Sequence, residues 1–137
     1  MTALAELNPY LHELLVQLDP YLRSWDEISL ACVFGSFARG NPRASSDIDL
    51  AIAGPTLFSA EKRVELALAI SQLCGREVDV VDLNAAHGAV FEEAMCKGVF
   101  FLTEDSTLKE KLLNRMLRER DFDGRIKDRM LLQRLKN

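Results

Sequence analysis

Cysteine and histidine are both scarce in this chain, which has three of the first and two of the second among 137 residues. Cys32, Cys74 and Cys96 stand singly in apolar surroundings, odd in number and without C-x-x-C spacing. That argues against a disulfide framework or a thiolate zinc site, and reduced buried thiols point to a cytoplasmic protein. His12 and His87 have no partner at metal-ligand spacing and read as structural histidines. No apolar run approaches the roughly 20 residues that a membrane span requires. Met1 is not followed by a charged and then an apolar stretch, so no membrane contact and no secretory leader are expected. Repeats and low-complexity segments are also missing. What remains is a chain 48% hydrophobic, enough for a packed core in one compact domain.

Charge is unevenly placed. The net charge is −4, yet from Asp105 onward ten Lys/Arg outnumber six Asp/Glu, leaving an acidic body with a basic tail. Such a tail suits a docking surface or a nucleic-acid contact, or is merely a solvated helix face. Of these, direct nucleic-acid binding is not the expectation adopted.

Helix and strand signals alternate along the chain. Asn8-Pro9 is a cap followed by a first-turn proline. Leu11, Leu14, Leu15, Leu18 and Leu22 continue at helical spacing, with Pro20 expected to kink or end the helix near Asp19. Ile28 to Phe34 and Ile48 to Ala53 read as strands able to pair as neighbours. Ser59 caps a helix running to Cys74 with Gly75 as its stop, and Val64, Leu66, Ala67, Ile70 and Leu73 form its apolar side. Glu77 to Leu83 reads as an inner strand. Asn84 is expected to cap a helix from about Ala85 to Lys97, and Val99 to Leu102 forms a last strand. A final helix from Ser106 carries Leu108, Leu112, Leu113, Met116 and Leu117, continued past Gly124 by Ile126, Met130, Leu131 and Leu135. The order predicts an α+β fold, a small mixed sheet packed with helices and ending in a long helix. The expected division is a 1–104 domain and a 105–137 helical extension, whose apolar stripe a small domain could leave exposed for a partner.

The chemistry concentrates in GSFARGNPRASSDID, Gly35 to Asp49. On a strand, side chains at i and i+2 share one face, with Cα atoms about 6.6 Å apart. Asp47 and Asp49 therefore point together while Ile48 points inward. Two such carboxylates suit Mg²⁺ completed by substrate phosphates. The bland alternative for an isolated D-x-D is a solvated acidic strand edge. Gly35 lets backbone approach a ligand closely, Ser36 supplies a hydroxyl, and the N–H groups of Ser36 to Ala38 open a short helix suited to an anion. Arg39 is a further phosphate candidate, or simply a surface arginine. In EVDVVDL, an aspartate among valines in an inner strand calls for a reason, because an unpaired buried carboxylate is costly. Asp79 beside the pair would complete a three-carboxylate site for two metals, whereas Asp82 reads as a cap or surface residue. Trp25, Phe34, Phe37, Phe100 and Phe101 are expected in the core, Phe37 having a lesser claim to touch a nucleotide.

Gly35-Ser36, ten further residues and Asp47-x-Asp49 resemble the GSx10DxD pattern of the polymerase-β-like nucleotidyltransferases, and Asp79 fits their third carboxylate. The likeness covers about Leu22 to Leu102. Without room for the second domain that larger members use to bind an acceptor, the chain resembles the minimal nucleotidyltransferase (MNT) antitoxins of HEPN/MNT toxin–antitoxin modules. The resemblance implies AMP transfer from ATP, with Mg²⁺ ions expected as a pair, onto a tyrosine of a HEPN ribonuclease toxin. The toxin would be silenced within a hetero-oligomer. It implies that Gly35 and Ser36 hold the triphosphate, that Asp47 and Asp49 bind metal, and that Asp79 activates the tyrosine or completes the second metal site. Two other readings stay open. One is an antitoxin that masks its toxin through the C-terminal helix without chemistry. The other is nucleotidyl transfer to a small cationic molecule such as an aminoglycoside.

Overall fold

A computed structural model gives the fold, and residues 6–122 are those it describes. Helix α1 spans Pro9–Arg23 and begins as the sequence predicts, with Asn8 Oδ1 accepting from the Leu11 N–H at 3.0 Å. Leu11, Leu14, Leu18 and Leu22 form its buried face. Of the two outcomes expected at Pro20, a kink or an end, the end is corrected: the helix runs through it to Arg23. An interior proline costs about 3 kcal/mol. Full burial of Leu18 and of Leu22 on either side returns about 1.5–3 kcal/mol each.

Strand β1 (Leu30–Phe34) leads into a one-turn helix α2 (Ser36–Arg39), and β2 (Ile48–Ala53) follows after a loop. Helix α3 (Ala60–Cys74) has both expected ends. Ser59 Oγ accepts from the Lys62 N–H at 3.1 Å, and Gly75 closes the helix at φ 70°. Its apolar side is narrower than the sequence suggests. Leu66 and Ile70 are buried, whereas Val64 and Leu68 face outward, because a 100° turn per residue carries them off the sheet, and Leu73, on the buried stripe but next to the helix end at Cys74, is exposed as well.

Strand β3 covers Val78–Asp82, helix α4 Gly88–Lys97, strand β4 Val99–Thr103 and helix α5 Ser106–Phe122. The expected start of α4 near Ala85 is corrected by three residues. The Asp82 carbonyl accepts from Ala85 and Ala86, and its side chain accepts from the Asn84 N–H at 2.9 Å. Those bonds lock residues 82–86 into a turn, so Asn84 is not the helix cap. Asp105 caps α5 by accepting from the Leu108 N–H at 3.0 Å.

The sheet has the order β3-β2-β1-β4. β1 lies antiparallel to β2 and β4, while β2 and β3 run parallel, with α3 as their crossover. β3 is thus an edge strand, and its expected inner position is corrected. One sheet face packs Val33, Ile48, Leu50 and Ile52 under α1 and α3. The other packs Cys32, Phe34, Ala51 and Ala53 under α4 and α5 through Phe91, Ala94, Leu112, Met116 and Leu117. The stripe of α5 is therefore covered by its own domain as far as Leu117. Ile126, Met130, Leu131 and Leu135 lie outside the described residues.

Candidate active site

The end of β1 and the starts of β2 and β3 meet at one end of the sheet, and the candidate residues gather there. Strict alternation along β2 sends Ile48 and Leu50 under α1 and α3, so Asp49 falls on the opposite face with Ala51. The sheet register sets Asp49 beside Phe34 on β1 and beside Asp79 on β3. Adjacent strands lie about 4.8 Å apart, so Asp49 and Asp79 stand abreast on one face. Asp47 precedes β2 and is exposed, and Asp79 on the edge strand is exposed too. The desolvation rationale for Asp79 therefore does not hold. Its significance comes from its place next to Asp49.

Gly35 explains how the turn and the acids fit together. Its φ of 72° and ψ of −149° belong to a region that side-chain-bearing residues scarcely enter. A Cβ built there would stand 2.1 Å from Asp49 Oδ2. The Asp49 carboxylate thus occupies the space that the missing side chain leaves free. Beyond it the chain coils into α2, where the Arg39 N–H reaches back to the Gly35 carbonyl at 3.1 Å. At such a helix start the N–H groups of Ser36, Phe37 and Ala38 have no carbonyl within the helix. The far end of α2 is tied down by Asn8, which is buried and donates through Nδ2 to the Phe37 carbonyl at 2.8 Å and the Ala38 carbonyl at 3.3 Å. One asparagine therefore caps α1 and anchors the turn.

A fourth carboxylate joins the site from α4. Glu93 pairs with Arg39 at 3.3 Å. Burial pushes the Asp49 carboxyl above its ordinary range, and the negative charges of Asp79, Glu93 and Asp47 push the same way, with Arg39 opposing them. Nothing in the sequence marks Glu93, because the approach of α4 to the start of β2 is a tertiary event. Among the described residues no three His, Cys, Asp or Glu side chains form a ready-made metal nest. The donors present are hard carboxylate oxygens, with Asp49 and Glu93 half-buried and Asp47 and Asp79 exposed. They fit a divalent cation whose remaining ligands come from phosphate and water.

The other candidates fall outside this cluster. Asp82 is neither a helix cap nor a surface residue: it is buried at the end of β3, and its Oδ2 accepts from the Phe58 N–H at 2.9 Å. Phe37 points into the core. His87 pairs with Glu119 at 3.0 Å, and His12 lines a cleft of about 430 Å³ between α1 and β4 to which Asp47, Asp49, Asp79 and Glu93 do not contribute.

Comparison with known proteins is consistent with this geometry. The family model described as polymerase beta, nucleotidyltransferase matches residues 16–107. The chain is 29% identical over 72 residues to the protein adenylyltransferase MntA of Shewanella oneidensis, and the match spans about half of each protein, 53% of this chain and 52% of MntA. In fold it is similar to a chain of a toxin–antitoxin crystal structure with AMP-PNP (TM-score 0.65, 21% identity, 90% of this chain and 97% of that one). It is equally similar to a chain of the complex of tri-AMPylated Shewanella oneidensis HEPN toxin with MNT antitoxin (TM-score 0.65, 20% identity, 88% and 98%).

Proposed function

The chain belongs to the polymerase beta nucleotidyltransferase family, and from that premise we propose that it is a protein adenylyltransferase acting as an antitoxin. It moves AMP from Mg-ATP onto a tyrosine of a partner HEPN ribonuclease toxin and silences it. The observation that carries this reading is the seating of the Asp49 carboxylate against Gly35, abreast of Asp79. It sets the phosphate turn and the acids side by side.

Gly35 and Ser36 hold the triphosphate through backbone N–H groups and the Ser36 hydroxyl, and Arg39 exchanges Glu93 for phosphate oxygen. Asp47 and Asp49 would hold Mg²⁺, with Asp79 beside them as the base. When bound, Mg²⁺ supplies neutralisation of phosphate charge. The tyrosine oxygen forms the new bond to the α-phosphorus, pyrophosphate leaves, and Asp79 takes the phenolic proton. Exposure of Asp79 on an edge strand supports that role, since an incoming side chain reaches it unobstructed. Orientation and electrostatics provide the acceleration, and no covalent enzyme intermediate is required.

Within this reading, residues 1–104 are the transferase unit and 105–137 the helical extension that meets the toxin. A cytoplasmic location accords with a fully buried Cys32 whose thiol burial pushes up to about 12. Among the described residues no helix is long and apolar enough to cross a membrane. The test is the intact mass of the partner after incubation with this protein and Mg-ATP. One or more added AMP units are expected, and none with Asp47→Asn/Asp49→Asn. A tight complex without any mass increase would replace transfer by masking.

A further inference from the structure

The loop from Gly40 to Asp47 carries the chain from the phosphate turn to the paired acids with no regular secondary structure. One side chain from a distant element holds it. Arg76 directly follows Gly75, whose left-handed conformation ends α3 and turns the chain back. Its Nη1 donates to the carbonyl oxygens of Arg43 at 3.0 Å, Ala44 at 3.3 Å and Ser46 at 3.0 Å. The same guanidinium lies 4.9 Å from the ring centre of Phe37, the buried residue of α2. The loop closes on itself beneath these bonds: the Arg43 N–H donates to Ser46 Oγ at 2.7 Å, and the Ser46 N–H to the Arg43 carbonyl at 3.0 Å. The next residue after Ser46 is Asp47, and the residue after Arg76, Glu77, accepts from the Ile48 N–H at 2.9 Å.

We propose that Arg76 is a positioning residue for nucleotidyl transfer. By gathering three loop carbonyls while stacking on Phe37, it fixes the separation between the Ser36 turn and Asp47 and Asp49. This inference rests on the transferase reading above. An irregular loop loses much backbone freedom when ordered, and charge-assisted bonds to its carbonyls offset that loss. Arginine suits the task because its planar guanidinium can donate in the ring plane while its face lies on an aromatic. A lysine ammonium is a point donor without such a face.

The experiment compares Arg76→Ala and Arg76→Lys with the wild-type chain by hydrogen exchange, thermal unfolding and AMP transfer. In Arg76→Ala the Ser46 amide should exchange about tenfold faster or more, while the melting temperature stays within about 5 °C of the wild type. Transfer should fall about 100-fold, mainly in kcat, and added guanidinium ion should restore part of it. Arg76→Lys should retain more transfer than Arg76→Ala. Unchanged exchange at Ser46, or unchanged transfer, overturns the proposal. So does global unfolding of both variants, which would assign Arg76 to folding alone. If the wild type transfers nothing, the transferase reading fails by itself, and the exchange experiment still decides whether Arg76 holds the loop.

Discussion

Replacing Gly35 by alanine should damage stability and catalysis together, by two separable routes. The first is conformational. At φ 72° and ψ −149° any Cβ is strained, at a cost of about 1–3 kcal/mol. The second is steric. The new methyl would meet Asp49 Oδ2 at 2.1 Å and Asp49 Cγ at 3.1 Å, where ordinary contact is about 3.5–4.0 Å. The carboxylate must therefore retreat by about 1 Å or more, an overpacking that typically costs about 1–3 kcal/mol. A shift of that size at a reacting centre can lower turnover about 100-fold. Urea unfolding of a two-by-two set with Asp49→Ala separates the routes. In the Asp49→Ala background the carboxylate is gone, so Gly35→Ala should cost only the conformational part. Equal costs in both backgrounds would mean that Asp49 does not press on this glycine. A Gly35→Ala protein within about 0.5 kcal/mol of wild type and with full transfer would refute the reasoning altogether.

Three further outcomes follow from the same physics. The folded-state pKa of Asp49 lies above its ordinary 3.8, so the fold favours the protonated carboxyl. That contribution is fully present below the unfolded pKa and is lost as pH rises through the folded one; Asp49→Asn should therefore stabilise the metal-free protein at neutral pH and remove part of the pH slope above about 4, and an unchanged melting temperature at neutral pH would count against the crowding. Asp82→Ala should strand the Phe58 and Asn84 N–H groups, both bonded to its carboxylate, at about 1–3 kcal/mol for each donor; denaturant unfolding reads the loss, and transfer by the folded fraction should persist. Cys32, fully buried and with its thiol pushed up to about 12, should resist alkylation in the native protein while the less buried Cys74 and Cys96 react first, as peptide mass mapping would show; early labelling of Cys32 would mean that its enclosure opens readily.

Local chemistry made several parts of this protein legible in its sequence. Asn8, Ser59 and Gly75 cap helices because their own side chains or backbone freedom satisfy nearby groups. β2 keeps the limits Ile48–Ala53 because an apolar run of strand length follows directly on the loop. The spacing of Ser36, Asp47 and Asp49 marks the candidate site within fifteen residues, before any fold is known. Where expectations failed, distant groups intervened. Pro20 stays inside α1 because buried leucines on either side outweigh its cost. Residues 82–86 form a turn because Asp82 accepts bonds on both sides of it. As far as Leu117 the stripe of α5 does not stand open, because the second sheet face takes it up.

The sequence by itself thus singled out the candidate groups, since motif spacing and capping depend on neighbours along the chain. Only the tertiary structure decided their setting: Asp49 lodged against Gly35, Asp79 abreast of it on an open edge, Glu93 brought in by α4, and Arg76 beneath the loop. Each of these depends on strand order and helix packing between residues 14 or more positions apart. Such contacts are selected by burial of the whole core, and no local pattern along the chain encodes them.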